Sequence, residues 1–329
     1  MHFVLLKKVL VLDFELRKGN RMANHIEFLG VDLGGTNIKI GVVDTEGNLL
    51  DKVKYPTAPL QESGDFITNF IEILGSELSK RPHISKVGIG VPGTLTKCRR
   101  TTLEFPNIKG LGGQPLMDKL EDAFPEKEIW LENDANAAAL GELYFSRSPR
   151  PDHFIFVTLG TGVGGAVIMD REIFKGGDGN ALEIGHVMVS NGMTLEQNFG
   201  KKGMVAYAQK LIDSGKYETG LISEDLYPKA IVKALPKGDV VAKKVFRKNA
   251  KYLGEALVGA VRLLDIKDIF IGGGVAASFP YFEAELMAYL REHLTEYYTI
   301  SLSVRRAELG NNAGILGAAS LCFQQGEKN

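Results

Sequence analysis

Asp-Leu-Gly-Gly-Thr-Asn, residues 32 to 37, lies between two apolar runs, Phe28 to Leu33 and Ile38 to Val43. A strand that ends in a carboxylate and two glycines, and then returns directly as a second strand, predicts a glycine hairpin. An ordinary tight turn in a sheet is the alternative interpretation of an isolated Gly-Gly pair. Other parts of the chain must therefore show whether this hairpin binds a ligand.

The residues of the turn have the chemistry of an anion site. Because Gly34 and Gly35 lack side chains, backbone N–H groups there can approach an anion closely. Thr36 and Asn37 add polar donors, and Asp32 beside the loop can hold Mg²⁺ directly or through water. The hairpin is therefore interpreted as a phosphate cradle.

The same pattern returns at Phe154 to Met169, where two apolar runs flank Gly160-Thr161-Gly162 and a further pair of glycines. These glycines satisfy G-x-G-x-x-G, but that dinucleotide fingerprint has to open a helix, and this segment continues as a strand and a polar turn. A P-loop is excluded because the sequence contains no G-x-x-x-x-G-K-[ST]. Two such units predict a duplicated α/β architecture with one phosphate hairpin in each half.

A third glycine cluster, Gly272-Gly273-Gly274, follows the short apolar run Asp268 to Ile271. A helix is predicted to begin near Tyr281, with Phe282, Leu286 and Leu290 on one face. Glycines at such a strand-to-helix junction let a flat ligand, such as adenine with its ribose, lie against the backbone.

Composition narrows the class of protein. The chain has 329 residues, a formal net charge of −1 and 44% hydrophobic residues, which suits one or two globular domains. Near-neutral charge argues against nucleic acid or a membrane surface as the main partner, and no apolar run reaches transmembrane length. The two cysteines, Cys98 and Cys322, cannot form a disulfide framework or a cysteine zinc site, so we expect a cytoplasmic protein. Residues 1–26 are expected to be an N-terminal extension outside the fold.

Strands and helices alternate along the rest of the chain, which predicts an α/β fold. The predicted strands include Leu49 to Tyr55, Val87 to Val91 and Ile129 to Leu131. The predicted helices are residues 65–80, 240–264 and 312–324.

Two polar clusters have the chemistry of a catalytic or sugar-binding site. Asn133 and Asp134 stand between a predicted strand end and a helix start, where catalytic groups of α/β sheets project. Helix capping is the alternative role, but a carboxylate here can also accept a proton from a sugar hydroxyl that attacks a γ-phosphoryl group. Glu183 and His186 close a glycine-rich loop and offer the acceptor and donor pair that polyol binding requires.

Six motifs in register resemble the ROK family (repressors, open reading frames and kinases) of the actin and hexokinase-type ATPase superfamily. The resemblance covers about residues 27 to 324 and rests on Asp32-x-Gly-Gly-Thr, Gly90-Val-Pro-Gly93, Glu132-Asn-Asp-Ala-Asn136, Thr158-Leu-Gly-Thr-Gly-Val-Gly-Gly165, Glu183-Ile-Gly-His186 and Ala307-x-Leu-Gly-x-x-Ala313. It implies a two-lobed, ribonuclease H-like duplicated α/β fold with the ligand cleft between the lobes. The small lobe would comprise residues 27–132 with the C-terminal helix 308–325, and the large lobe residues 133–307.

The resemblance also implies roles for single residues. Asp134 would be the general base, with Asn133, Glu183 and His186 binding the sugar and Gly93 lining its site through the backbone. The nucleotide would be bound by Asp32, Gly34, Gly35, Thr36, Asn37, Gly160, Thr161, Gly162, Gly272, Gly273 and Gly274.

The chain departs from the family after His186. Many members have a zinc loop, C-x-C-G-x-x-G-C followed by Leu-Glu, whereas the segment here is Val-Met-Val-Ser-Asn-Gly-Met-Thr-Leu-Glu196. Glu196 keeps the family's sugar-binding position, and His186 without cysteine partners cannot form a structural zinc site. Because polyphosphate glucokinases are among the zinc-free relatives, polyphosphate is an alternative donor, although no run of lysine or arginine is present to follow a long polyanion.

The expected activity is that of an ATP- and Mg²⁺-dependent kinase acting on the 6-hydroxyl of a hexose, with glucose as the first choice. N-Acetylglucosamine, N-acetylmannosamine, mannose and fructose are the alternative substrates. A sugar-sensing regulator is the alternative without enzymatic activity, although such a protein would be expected to lack Asp134. Resemblance to the family further implies a homodimer.

Overall fold

The computed structural model describes residues 26–105 and 108–323. The N-terminal extension predicted for residues 1–26 therefore lies almost entirely outside the described part. The last two residues of the predicted C-terminal helix, 324 and 325, also lie outside it.

In the described residues, ten strands form two separate five-stranded sheets. The first sheet has the order β3-β2-β1-β4-β5, and its strands are β1 (Glu27–Leu33), β2 (Asn37–Asp44), β3 (Leu49–Pro56), β4 (Lys86–Val91) and β5 (Glu128–Asn133). The second has the order β10-β9-β6-β7-β8, with β6 (Phe154–Leu159), β7 (Val163–Met169), β8 (Glu172–Ile173), β9 (Asp268–Gly272) and β10 (Ser303–Arg306).

The two sheets have the same topology. In each, a glycine hairpin joins the first two strands, a third strand extends the sheet in antiparallel fashion, and two parallel strands lie on the other side of the first strand. The predicted duplication is confirmed, and with it the actin and hexokinase-like α/β fold. Because the first strand of each sheet is central and ends at its hairpin, both glycine turns lie at the carboxyl ends of buried strands.

Eleven α-helices occur in the described ranges. They are α1 (Ala58–Glu62), α2 (Phe66–Ser79), α3 (Leu116–Ala123), α4 (Asp134–Phe145), α5 (Leu195–Phe199), α6 (Lys201–Asp213), α7 (Pro228–Ala234), α8 (Val240–Leu264), α9 (Glu283–His293), α10 (Glu296–Thr299) and α11 (Ala313–Ser320). The helix predicted for residues 240–264 has these bounds in the structure.

Two of the predicted helices need correction. The helix expected near Tyr281 begins at Glu283, because Ala276–Tyr281 form a 3₁₀ segment that contains Pro280. Phe282 is buried before the first turn rather than within the helix. The helix expected over residues 312–324 is α-helical only to Ser320 and then tightens into a 3₁₀ turn.

Helices α4 and α11 form the centre of the molecule. Helix α11 packs on β1 and β4 of the first sheet, α4 packs on β7 of the second, and the two helices pack on each other. Glycine makes this close approach possible, since a Cβ on Gly141 would lie only 2.8 Å from the Cα of Gly317. Likewise, the carbonyl oxygen of Ile315 occupies the space that a side chain on Gly30 would need. Both sheets are thereby held against one helix pair, whose N-terminal ends carry the candidate site.

Candidate active site

The first glycine hairpin is closed by a hydrogen bond from the Gly34 N–H to the carbonyl of Asn37, at 3.0 Å. Thr57, which is fully buried and directly follows β3, stabilises the turn. Its Oγ1 donates to the Gly34 carbonyl at 2.6 Å, and its N–H donates to the Thr36 carbonyl at 3.0 Å. The turn is thus held by hydrogen bonds from a buried residue, while the Thr36 side chain remains exposed. Sequence inspection missed Thr57, which follows the end of a strand without a motif of its own.

Asp32, the penultimate residue of β1, lies between a cation and a helix. The Lys39 ammonium lies 2.6 Å from its Oδ2. On the other side, the Asp32 carboxyl group occupies the space that a side chain on Gly314 would need at the first turn of α11. A helix N-terminus carries a partial positive charge, so Asp32 lies between two positively charged groups. Sequence inspection also missed Lys39, which the observed β1–β2 register places opposite Asp32.

The second hairpin is connected to Glu196. The loop Gly160-Thr161-Gly162 links β6 to β7, and the Val163 N–H donates to Glu196 Oε2 at 2.9 Å. A side chain on Gly162 would collide with this carboxylate, whereas one on Gly160 would meet no protein atom within 4 Å. The open space beside Gly160 is therefore where a ligand can approach the backbone.

The third glycine cluster packs against the end of β6. Gly273 has φ of +84°, and a side chain there would collide with the Leu159 carbonyl. The Val275 N–H donates to that same carbonyl at 2.9 Å. Gly274, like Gly160, faces open space. The structure thus brings the second and third glycine clusters together at one strand end.

The structure assigns helix capping, one of the two roles that the sequence left open, to Asn133 and not to Asp134. Asn133 is the N-cap of α4, since its Oδ1 accepts from the N–H groups of Ala135 and Asn136 at 2.9 and 3.1 Å. Its Nδ2 donates to the Gly93 carbonyl at 3.1 Å, which links two of the predicted sugar-binding residues. Asp134, the first residue of the helix, is therefore not required as the cap.

Asp134 lies where the two sheets approach each other. Its Cα is 3.6 Å from the position of a Cβ on Gly90 of β4, and the next residue, Ala135, packs against Gly164 of β7. Burial raises the pKa of Asp134 to about 7, and the negative charges of Asp32 and Glu183 add to this shift. A carboxyl group with a pKa near neutrality has the property that a general base requires.

Glu183 precedes a short 3₁₀ turn, Ile184–His186, of which His186 is the last residue. The turn is fastened to β7, because Gly185 lies against the Val163 carbonyl and the Leu182 carbonyl lies over Gly165. Burial raises the pKa of Glu183, with His186 opposing the shift and Glu196 and Glu104 adding to it. His186 and Glu196, the other two predicted side-chain ligands, thus both lie close enough to Glu183 to interact with it electrostatically.

The position of Asp32 fits a magnesium ion that is bound mainly by the phosphates of the donor. Among the residues that the structure describes, no group of three or more His, Cys, Asp and Glu side chains could hold a metal ion. Mg²⁺ is commonly bound by one or two carboxylates together with substrate phosphates and water. Asp32, beside the open hairpin, fits that arrangement.

Hydrogen bonds hold the segment that replaces the zinc loop. Both the N–H and the hydroxyl of Ser190 donate to the Glu255 carboxylate, at 2.7 Å each. Thr194 and Gln197 form a reciprocal capping box at the start of α5. Glu196, the second residue of that helix, is thereby aimed at the second hairpin.

No helix in the described part of the chain is both long and apolar enough to span a membrane.

Known proteins resemble the chain over nearly all of its length. A sequence model of the ROK family matches residues 28–325. The chain is 34% identical to a glucokinase of Streptomyces coelicolor over 316 residues, covering 89% of the chain and 96% of that protein. It is 31% identical to a glucokinase of Thermotoga maritima over 311 residues, covering 90% and 97%.

A solved structure has the same fold. The ROK family glucokinase of Streptomyces griseus, in complex with glucose and AMPPNP, is 31% identical and superposes with a TM-score of 0.76, covering 91% of this chain and 99% of that one. The six motifs, the duplicated sheets and these matches agree with one another. The chain therefore belongs to the ROK family.

Proposed function

We propose that this protein is a hexose kinase that transfers the γ-phosphoryl group of ATP to the 6-hydroxyl of glucose. One observation carries the proposal: Asp134, with its pKa raised to about 7, lies at the start of a helix that packs against Gly90 of the first sheet and Gly164 of the second. The glucokinases among its relatives support the substrate.

Asp134 acts as the general base in this proposal. Its carboxylate accepts the proton of the 6-hydroxyl as that oxygen attacks the phosphoryl group. Asn133 and the Gly93 backbone, already joined by a hydrogen bond, line the sugar site beside it. Glu183, His186 and Glu196 bind the remaining hydroxyls, since carboxylates accept and an imidazole can donate or accept.

The glycine turns hold the donor. Backbone N–H groups of residues 35–37, 161 and 162 face the phosphates, whereas those of Gly34 and Gly160 close their own hairpins. The Gly272–Gly274 segment borders the adenosine. When bound, Mg²⁺ would neutralise charge on the phosphates, with Asp32 as the protein group that holds it. The Lys39 ammonium, 2.6 Å from Asp32, adds a positive charge at the same place.

The larger organisation is also part of the proposal. Residues 27–132 with the C-terminal helix form the small lobe and residues 133–307 the large lobe, and closure of the cleft excludes water from the donor. The protein acts as a homodimer in the cytoplasm, where its free thiols, Cys98 and Cys322, persist.

A coupled assay of the purified protein tests the proposal. Glucose, mannose, fructose, N-acetylglucosamine and N-acetylmannosamine are compared with ATP and Mg²⁺, and polyphosphate replaces ATP in a parallel series. The highest kcat/KM is expected for glucose with ATP. A higher value for another sugar would correct the substrate, higher activity with polyphosphate would correct the donor, and inactivity with every pair would overturn the kinase.

A further inference from the structure

The loop that follows β4 and the loop that follows β8 are joined directly, although they belong to different sheets. Residues 94–104 form a small hairpin, closed by the Leu95–Thr102 bridge and by hydrogen bonds between Thr94 and the backbone of Leu103 and Glu104. This hairpin starts immediately after Gly93. The partner loop, residues 174–183, ends at Glu183. The first loop therefore begins next to a residue of the proposed sugar site, and the second loop ends at one.

Asn180 makes the first connection. Its Oδ1 accepts from the Leu95 N–H at 3.0 Å, and its Nδ2 donates to the Leu95 carbonyl at 2.8 Å. One amide side chain thus satisfies both backbone groups of Leu95, as a neighbouring strand would. Truncation to alanine removes both hydrogen bonds and leaves no buried charge.

Arg99 makes the second connection. Its Nε donates to Glu132 Oε2 at 3.0 Å, and its Nη2 lies 2.9 Å from Oε1 of the same carboxylate. The Nη2 group also donates to the Gly179 carbonyl at 2.6 Å. Both Arg99 and Glu132 are buried. Gly179 has φ of +97°, and a side chain there would collide with the guanidinium, so this position requires glycine.

Glu132 continues the network to the catalytic helix. Its Oε1 accepts from the Asn133 N–H at 2.9 Å and from Asn136 Nδ2 at 3.0 Å. The Arg99 guanidinium therefore touches, through one carboxylate and one carbonyl, both the segment that carries Asp134 and the loop that carries Glu183. Buried hydrogen-bonded networks restrict the geometry of the groups attached to them.

We propose that Arg99 and Asn180 are positioning residues that hold the Glu183 loop in its sugar-binding arrangement. This inference rests on the proposed function, because it assigns Glu183 to the sugar. The latch consists of Arg99, Glu132, Gly179, Asn180 and Leu95. Neither Arg99 nor Asn180 is placed to touch the phosphates, so the latch acts on sugar affinity. Without it, sugar binding would have to order the loop and would weaken accordingly.

Steady-state kinetics of Asn180→Ala provides the test, with Asn69→Ala as the matched control. The Asn69 side chain also makes two hydrogen bonds, at 2.8 and 2.6 Å, but only within its own helix and the preceding turn. For Asn180→Ala we expect the sugar KM to rise about tenfold, with the nucleotide KM and kcat within about twofold of the wild type. Asn69→Ala should leave all three unchanged. A parallel rise in both KM values, or an unchanged sugar KM, would overturn the latch.

Hydrogen exchange measures the same latch without a substrate. Amides of residues 176–186 should exchange faster in Asn180→Ala than in the wild type or Asn69→Ala. Arg99→Lys keeps a charge opposite Glu132 but cannot also reach Gly179, so it should give the same pattern even where Arg99→Met fails to fold. A wild-type protein that phosphorylates no hexose would overturn the proposed function, and faster exchange would still support the latch. Equal exchange in all variants would overturn the latch whatever the activity.

Discussion

The Lys39 ammonium lies 2.6 Å from Oδ2 of Asp32, directly across the β1–β2 ladder. Register alone creates this pair, because Leu33 pairs with Ile38 at the hairpin and Asp32 must then face Lys39. The pair lies beside the open glycine turn, where the phosphates of the donor are proposed to bind. Lys39 is therefore available both to Asp32 and to a phosphate oxygen.

Replacing Lys39 with methionine should weaken nucleotide binding. The variant removes a charge that is partly accessible to solvent, so we expect the KM for ATP to rise about tenfold, corresponding to about 1.4 kcal/mol. The sugar KM should change little. Lys54→Met is the matched control, since Lys54 faces Lys39 from β3 without a described contact to Asp32. If both substitutions raised the KM for ATP equally, the effect would come from the net charge of the protein and not from the position of Lys39.

Removing the charge of Asp134 should abolish activity without destabilising the fold. In the wild type, Asp134 Oδ1 accepts a hydrogen bond from the Ala135 N–H at 2.8 Å. The Asp134→Asn variant keeps an oxygen that can accept this bond, but its amide cannot take a proton from the sugar. We expect kcat to fall by roughly 10²–10⁴. Thermal unfolding at pH 8 should occur at an equal or higher temperature, because repulsion from Asp32 and Glu183 is relieved. A lower melting temperature would indicate a structural role instead.

The pH dependence of kcat/KM should report the raised pKa of Asp134. Its folded-state pKa, about 7, exceeds the ordinary value of 3.8, so the carboxyl group remains protonated at acidic pH and cannot act as a base. We expect kcat/KM to rise tenfold per pH unit below about 7 and to level off above it. The same shift makes the contribution of Asp134 to stability fall as pH rises from about 4 to 7. The unfolding temperature of Asp134→Asn relative to wild type should therefore be higher at pH 8 than at pH 4, and a constant difference would contradict the shift.

Two glycines of the second hairpin should respond differently to alanine. A methyl group on Gly162 would collide with Glu196, whereas one on Gly160 would meet only open space. We expect Gly162→Ala to raise the KM of both sugar and nucleotide, because it displaces a proposed sugar ligand. Gly160→Ala should raise the nucleotide KM alone. Initial-rate measurements with each substrate varied separately distinguish the two, and identical profiles would remove Glu196 from the sugar site.

Chelation should remove activity without loosening the structure. The segment that replaces the zinc loop is held by the Ser190–Glu255 hydrogen bonds, so its stability should not depend on metal. After treatment with EDTA, we expect activity to vanish and to return with Mg²⁺, while the melting temperature stays within about 1 °C. Metal analysis of the purified protein should find less than stoichiometric zinc. A large fall in melting temperature on chelation would show a structural metal instead.

Local sequence was sufficient for the features that depend on neighbouring residues. Apolar runs broken by glycines predicted both hairpins, and helical spacing predicted residues 240–264 to the residue. Boundaries were wrong where a local constraint competed with periodicity, as at Pro280, which keeps the chain in a 3₁₀ segment up to Tyr281. The repeated hairpin also predicted the duplication, because each hairpin carries its own turn chemistry.

The sequence by itself determined the family, the two sheets and the residue types of the site, since each of these is written in short motifs of glycines, carboxylates and apolar runs. Only the tertiary structure decided which residues that are distant in sequence interact electrostatically or form hydrogen bonds. The pKa of Asp134 is raised by burial and by the charges of Asp32 and Glu183, and Arg99 donates a hydrogen bond to Gly179 in the loop that leads to Glu183. These interactions join residues far apart in the chain, and their strength depends on distance and burial, which periodicity and spacing do not contain.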